Sequence, residues 1–404
     1  MNRNKQTNGP ALVIGCGIGG PVVAMALQRA GMEAVIYEAY EQTEDFVGSF
    51  LNMASNGLDA LRSIDADTTV LTHGFPTPRM VMWSATGKRL GEVANGSALA
   101  DGTTSITIRR AALHRALRDE AIRRGIRIEY GKRLANAEST PQGVIARFED
   151  GSEVRGRMLI GADGIHSHLR QILDAAAPRP RYTGQLSLGG FAHVSSLKQT
   201  PGTFHMIFGK RAFFGYTVRP SGEVYWFANV SCRDEITRRQ LSTISPEDWK
   251  KRLMELFSGD AGPAIEILDC TRQELAAYPI YDLPPIPTWH RDSMVLMGDA
   301  VHATSPSSGQ GASLAIEDAV ILAKCLRDIG EPQRAFAAYE HLRRERVQRV
   351  VRSSARVGQT KIAGSVGRWI RDLVMPLALR HFANSNAQAW LYRYHLDWSE
   401  KVEF

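Results

Sequence analysis

Three motifs of glycine and acid run through the chain in a fixed order. Gly15-x-Gly17-x-x-Gly20 comes first, with Glu38 behind it. Gly161-Ala162-Asp163-Gly164-Ile165-His166-Ser167-His168-Leu169-Arg170 follows. Gly298-Asp299-Ala300-Val301-His302 comes last and leads into Pro306-x-x-Gly309-Gln310-Gly311. Glycines that let a chain turn sharply, followed by an acid, suit a pyrophosphate and the hydroxyls of a sugar. The backbone can then approach the phosphates closely, and the next helix aims its N-terminal N–H groups at them.

The first motif sits among the elements this chemistry needs. Ala11 to Ile14 is a short apolar run that reads as a buried parallel strand. Ala24 and Leu27 continue the spacing as contacts of a helix on the sheet, and Ala34 to Tyr37 reads as the second strand. Glu38 lies 18 positions after Gly20, close to the roughly 20 of dinucleotide-binding units, where it can accept from ribose hydroxyls. This motif does not choose between NAD and FAD. Met158 to Ala162 reads as a strand ending in an Asp-Gly turn, and Met294 to Met297 as another with Asp299 at its end. The loop Pro306 to Gly311 then opens a helix expected to run to about Leu326 and to present its positive end to the loop. Taken singly, Asp-Gly is an ordinary turn and Gly-Asp-Ala an ordinary strand end.

As an ordered set, the motifs resemble the single-component FAD-dependent aromatic hydroxylases, the family of para-hydroxybenzoate, urate and salicylate hydroxylases and the tetracycline-inactivating monooxygenases. The resemblance covers nearly the whole chain. Gly-Ala-Asp-Gly-x-x-Ser-x-x-Arg is matched at 161–170, Gly-Asp-Ala-x-His at 298–302, Pro-x-x-Gly-Gln-Gly at 306–311 and Glu-Asp-Ala at 317–319. Gly48 to Leu61 with Asn56-Gly57, Ile108-x-Arg110-x-x-Leu113 and Trp390-Leu391-Tyr392-Arg393-Tyr394 are weaker matches. Ser313 departs from the Asn that many members carry after Gly-Gln-Gly, which puts one side-chain contact near the flavin in doubt.

The resemblance implies an α/β fold: a Rossmann-like FAD-binding domain, an interleaved β-sheet substrate domain and C-terminal helices. It implies that Gly15, Gly17, Ile18, Gly19 and Gly20 hold the FAD pyrophosphate and Glu38 the adenosine ribose. Arg110 would contact the diphosphate–ribityl region, and Asp163 with Gly164 would serve both FAD and a passing nicotinamide. Gly298 and Asp299 would hold the ribityl chain. Pro306, Gly309, Gln310, Gly311 and Ala312 would place a helix N-terminus at the flavin N1–C2 edge. The implied reaction uses NADH or NADPH and O2 to form a C4a-hydroperoxyflavin, then hydroxylates or epoxidises an aromatic or olefinic small molecule. No catalytic residue is assigned, since the flavin carries the hard chemistry. His205 and His302 are candidate acid/base groups, each more simply read as structural. An oxidase or reductase without oxygen insertion, or a non-catalytic flavin binder, would share the same motifs. A halogenase is disfavoured because Trp-x-Trp-x-Ile-Pro is absent.

The chain of 404 residues, 44% hydrophobic, suffices for two or three domains. The FAD domain is expected over 1–72, 101–178 and 279–330. A β-rich substrate domain is expected over 73–100 and 179–278, and a helical segment over 331–404 with a break at Pro376. A strand is read at Arg79 to Trp83. A meander is read at Phe204–Phe208, Ala212–Val218 and Val224–Val230, with Phe214 and Tyr216 on one face and Phe213 and Thr217 on the other. Tyr225 and Phe227 likewise oppose Trp226. No thioredoxin-like C-terminal domain is expected within these 404 residues. The polar start and the lack of any long apolar run predict no signal peptide and no stable membrane insertion. Four scattered cysteines predict a reducing cytoplasm without a disulfide framework or metal site. The net charge of +7 owes much to Arg343, Arg344, Arg346, Arg349, Arg352 and Arg356, read as the solvated basic face of an amphipathic helix that could draw in NAD(P)H phosphates. No nucleic-acid motif accompanies it. Monomer and homodimer are equally compatible.

Overall fold

Four short, fully buried apolar strands form the base of the fold. In the computed structural model, which describes residues 9–41, 50–241, 243–360, 365–383 and 388–404, they are Ala11–Ile14, Ala34–Tyr37, Met158–Gly161 and Met294–Leu296. They pair in parallel, with Ile14 opposite both Tyr37 and Gly161 and with Gly161 opposite Leu296, so their C-terminal ends line up. Sheets of this kind are apolar throughout because helices cover both faces, and here every one of these strand residues is buried. Arg127–Glu129 and His290–Arg291 extend the sheet to six strands. Gly48 and the polar start at residues 1–8 lie outside the described residues.

Helices Gly19–Arg29 and Gly311–Ile329 pack side by side on this sheet. The second is buried without interruption from Ser313 to Leu326. A helix buried on every side lies inside the protein, and this one is sandwiched between Gly19–Arg29, Ser55–Arg62 and Pro332–Thr360.

The other large sheet has seven strands. Its order is Thr271–Asp282, Arg181–His193, Glu223–Ser231, Ala212–Val218, Thr203–Phe208, Arg79–Ser84, Arg89–Ala94. The Arg79–Ser84 strand joins in parallel and the other pairings are antiparallel. Alternation gives it two unlike faces, with the aromatics divided as the sequence pattern predicts. Phe214, Tyr216 and Trp226 pack under helices Pro246–Phe257 and Ala264–Asp269, with Phe214 stacked on Trp226 at 5.7 Å. Phe213, Tyr225 and Phe227 face the opposite way, toward Phe50 and Phe208. Phe50 belongs to Phe50–Met53, a strand of a small third sheet with Ile106–Arg109 and Phe75–Pro76.

Two sequence expectations change here. The C-terminal helix Ser365–Ala383 continues through Pro376 instead of breaking there. A proline costs a helix one ladder bond and a clash worth about 3 kcal/mol, which kinks more often than it terminates. The arginine-rich helix Pro332–Thr360 does not carry a purely solvated basic face. Arg343 is completely buried in line with Phe336, Tyr339, Val347 and Val350, and Arg346 is nearly so.

Candidate active site

The Gly15 loop leaves the first strand where the parallel strand ends line up. Gly15 has φ +102°, and a Cβ there would lie 2.6 Å from the Ala162 carbonyl oxygen. At Gly20 a Cβ would lie 1.9 Å from the Gly15 oxygen, so the turn closes only without side chains. Gly17 is the opposite case, because a Cβ there meets no protein atom within 4 Å and faces open space. A cradle closed behind and open in front fits a pyrophosphate. Gly20→Ala should therefore abolish both FAD retention and folding of this unit. Gly17→Ala should keep a near-normal melting curve and weaken only FAD, as melting and FAD titration of the two variants would show.

Pro246–Phe257 and His168–Leu173 are capped by Ser245 and Ser167 side chains. Gly19–Arg29 and Gly311–Ile329 start at Ile18 and Gln310 with no side-chain cap, which leaves their first N–H groups for another acceptor. The two starts lie close together. A Cβ on Gly19 would be 3.1 Å from Met297, one on Gly298 3.0 Å from Ala315, and one on Gly311 4.0 Å from Asp299 Oδ1. Gly309 takes a left-handed φ of +63° and approaches Asn52 of the Phe50–Met53 strand.

Glu38 accepts from Cys16 N–H at 2.7 Å and Tyr40 N–H at 3.1 Å. Each oxygen keeps a further lone pair for a ribose hydroxyl. The Cys16 thiol is pushed up to about 12, chiefly by burial, so it is no nucleophile. Asp299 is exposed, yet the protein packed around it raises its carboxyl above the usual range, while the charges of His302 and Arg110 pull it back down. Arg110 and Asp299, 189 positions apart in sequence, thus act on each other.

The remaining motif residues hold this arrangement together. Asp163 Oδ2 accepts the N–H groups of His168 and Leu169, and Gly164 turns with φ +76°. Buried Arg170 donates to the Ala300 and Ile165 carbonyls, which ties the second motif to the third. Asp318 Oδ2 accepts from Gly298 N–H at 2.9 Å and bonds His302 Nε2 at 2.5 Å. Asn56 donates to Glu317 at 2.7 Å and to Gln310 Oε1 at 3.1 Å. Arg343 closes the network on Glu317 and Asp318, both at 2.7 Å, and Arg346 pairs with Glu317 and the Trp390 and Leu391 carbonyls. Burial alone would raise the Glu317 and Asp318 carboxyls. Arg343 with Arg346 at Glu317, and His302 with Arg343 at Asp318, together outweigh it and hold both below the usual carboxylate range. Ser313 lies against Gly57 and Met53, where a Gly57 Cβ would be 2.6 Å from its hydroxyl, so its side chain is packed against the Ser55–Arg62 helix.

Neither histidine is poised as a base. His205 is stacked on Tyr216, accepts from Trp83 Nε1–H at 3.1 Å, and shares a 2.8 Å hydrogen bond with Thr200. Burial pushes it down to about 4. His302 is held by Asp318.

The inner face of the seven-stranded sheet presents Phe191, Phe204, Tyr225 and Phe227, all with ring centroids within 6.4 Å of Phe50. Gly215 lies beneath Phe227, since a Cβ there would be 2.3 Å from the ring. At one edge the Arg109 guanidinium lies over Phe191 at 4.0 Å and donates to Tyr225 Oη at 3.2 Å and to Glu223 at 2.5 Å. Phe50, Phe191 and the Arg109–Glu223 pair have no motif signature. Only the strand pairings bring them together. Among the described residues no His, Cys, Asp and Glu cluster could hold a metal, and no helix is long and apolar enough to cross a membrane.

A doubly wound sheet with a glycine cradle, two helix starts aimed at one cleft and an aromatic-lined second sheet fits a dinucleotide-binding enzyme such as a flavoprotein. Comparison with known proteins agrees. The family described as FAD binding domain matches residues 8–354, and the chain belongs to it. It is 31% identical to the aurachin C monooxygenase/isomerase of Stigmatella aurantiaca, over 90% of this chain and 93% of that protein. It is 29% identical to an FAD-dependent urate hydroxylase of Klebsiella pneumoniae, over 84% and 87%. The structure of Klebsiella pneumoniae HpxO with FAD and uric acid superposes with a TM-score of 0.83 at 25% identity, covering 96% of this chain and 97% of that one. The protein is an FAD-dependent monooxygenase of the aromatic hydroxylase class with NAD(P)H as co-substrate.

Proposed function

We propose that the protein hydroxylates a neutral, largely apolar aromatic ring, with epoxidation of an alkene as the neighbouring possibility. The Arg109–Glu223 pair carries this reading. Arg109 lies at the edge of the ring-lined face and already pairs with Glu223 at 2.5 Å, a carboxylate that Arg219 also approaches at 3.9 Å. A substrate carboxylate would have to displace that partner and be desolvated among phenyl rings. A flat neutral ring instead gains from offset or edge contacts with Phe191, Tyr225 and Phe227.

Bound FAD, reduced by NADH or NADPH, supplies the activation of O2. The chain's own contributions are distinct from it. Gly15, Gly17, Ile18, Gly19 and Gly20 hold the pyrophosphate, Glu38 the adenosine ribose, and Arg110 with Asp299 the ribityl–diphosphate region. Asp163, Gly164, Gly298, Pro306 and Gln310 shape the surrounding turns. Gly309, Gly311 and Ala312 set the start of the Gly311–Ile329 helix, which stabilises negative charge near it by about 0.3–2 kcal/mol. The aromatic face excludes water and orients the ring. Four free cysteines support a reducing cytoplasm, and a monomer or homodimer is the expected state.

Rapid mixing of the reduced holoprotein with oxygenated buffer tests the oxygenase reading. A transient absorbing species and product carrying oxygen from O2 are expected. Direct return to oxidised flavin with substrate present would assign an oxidase or reductase. The substrate class is tested with 2-naphthol and 3-hydroxy-2-naphthoate. The neutral member should perturb the flavin spectrum and speed NAD(P)H oxidation, and Glu223→Gln, which removes the carboxylate partner of Arg109, should shift preference toward the carboxylate by about tenfold or more. Wild-type preference for the carboxylate would overturn the neutral-ring reading while leaving the oxygenase intact.

A further inference from the structure

The Ser365–Ala383 helix is apolar on two sides. Inward, Met375 packs with Leu90, Phe208 and Phe213, and Leu379 presses on Gly91, where a Cβ would lie 2.7 Å from its Cδ1. Arg371 lies over the Phe208 ring at 4.5 Å. These contacts dock the helix beside the aromatic face of the seven-stranded sheet. Outward, Ile370, Leu373, Val374 and Leu377 are 50%, 58%, 51% and 68% exposed. Their spacing of i, i+3, i+4, i+7 places all four on one stripe. A surface helix normally turns such a stripe to the core, but the inward side here is already filled by Met375 and Leu379. An exposed apolar stripe of this kind marks an interaction surface.

Charge identifies the occupant. Residues 347–383 contain seven Lys and Arg against one acid, Asp372, and so hold six of the chain's net charge of +7. Arg352 and Arg356, on the preceding helix, are exposed. The basic character of the whole protein is therefore concentrated in the segment that carries the stripe. A second copy of this chain would set that positive charge against itself. An anionic lipid surface would attract it while taking up the four apolar side chains. No described helix is long and apolar enough to span a bilayer, so the geometry is that of a helix lying in the interface. We infer that the Ser365–Ala383 helix docks the protein peripherally on anionic lipid bilayers through Ile370, Leu373, Val374 and Leu377.

The test is flotation of the holoenzyme with vesicles of phosphatidylcholine alone and of phosphatidylcholine mixed with phosphatidylglycerol. Wild type should float with the mixed vesicles, stay behind with pure phosphatidylcholine, and be released by high salt. Leu373→Glu/Leu377→Glu should cut partitioning at least about tenfold, with FAD content and melting temperature unchanged. Arg352→Gln/Arg356→Gln should weaken it severalfold with the stripe intact. Wild type that ignores phosphatidylglycerol vesicles at low salt would overturn the inference, and this arm requires no variant to fold. A wild-type dimer that Leu373→Glu/Leu377→Glu converts to a monomer would overturn it too, by assigning the stripe to a second copy.

Discussion

Replacing Arg343 with leucine should lower the unfolding free energy at pH 7 by about 3–5 kcal/mol and weaken FAD retention in the fraction that folds. The guanidinium is wholly buried and bonds Glu317 and Asp318, which are also wholly buried. Without it, two wholly buried carboxylates lose their shared cation. Glu317 keeps Arg346 and Asn56, and Asp318 keeps His302 and the Gly298 N–H, so the site is weakened rather than emptied. Arg343→Lys, which keeps the charge and loses the fork, should fall between. The pH dependence separates charge from packing. Both carboxyls sit below their ordinary values in the folded protein, against unfolded values of about 4. Their contribution is therefore fully present above about pH 4 and is lost as pH falls below it. Urea unfolding across this range should show a gap between wild type and Arg343→Leu that is widest near neutrality and narrows in acid. A gap independent of pH would assign the loss to packing alone.

That network also shows what the sequence could and could not say. The parallel strands were readable because short apolar runs bounded by glycine and acid have few other uses, and Ala11–Ile14 and Ala34–Tyr37 form as expected. The alternation of Phe213, Phe214, Tyr216 and Thr217 was readable because a strand has period two. Arg343 was misread for a physical reason. Arginines at helical spacing suggest a wet face, yet 343 falls in line with Tyr339, Val347 and Val350, all buried. The usable signal lay elsewhere, in Glu317-Asp318 inside the apolar run from Leu314 to Leu326, because two acids there require buried cations. The substrate face had no comparable signal. Phe50, Phe191, Arg109 and Glu223 come from four separated strands, and only pairings such as Phe191 opposite Tyr225 and Phe50 opposite Arg109 make them neighbours.

Replacing Asp299 with alanine should reduce FAD affinity by about 10–100-fold, the worth of a hydrogen bond from a hydroxyl to a charged acceptor. Activity should follow FAD occupancy and return at saturating FAD. The second half of the expectation runs against intuition. Enclosure by protein raises the Asp299 carboxyl in the folded state despite His302 and Arg110. A folded value above the unfolded one means that the charged form is disfavoured by folding. The penalty appears as pH rises through the unfolded value and is complete above the folded one. At pH 7 the apoprotein of Asp299→Asn or Asp299→Ala should therefore melt higher than wild-type apoprotein, and below about pH 4 the advantage should vanish. Holoprotein should show the reverse order, because FAD lends wild type more stability than it lends the variants. A residue that costs stability in the empty fold and repays it on binding is what a ligand contact looks like. If the apoprotein variants instead melt lower, Asp299 serves mainly to open the Asp299–His302 turn. If FAD affinity is unchanged, its place in the ribityl site is wrong.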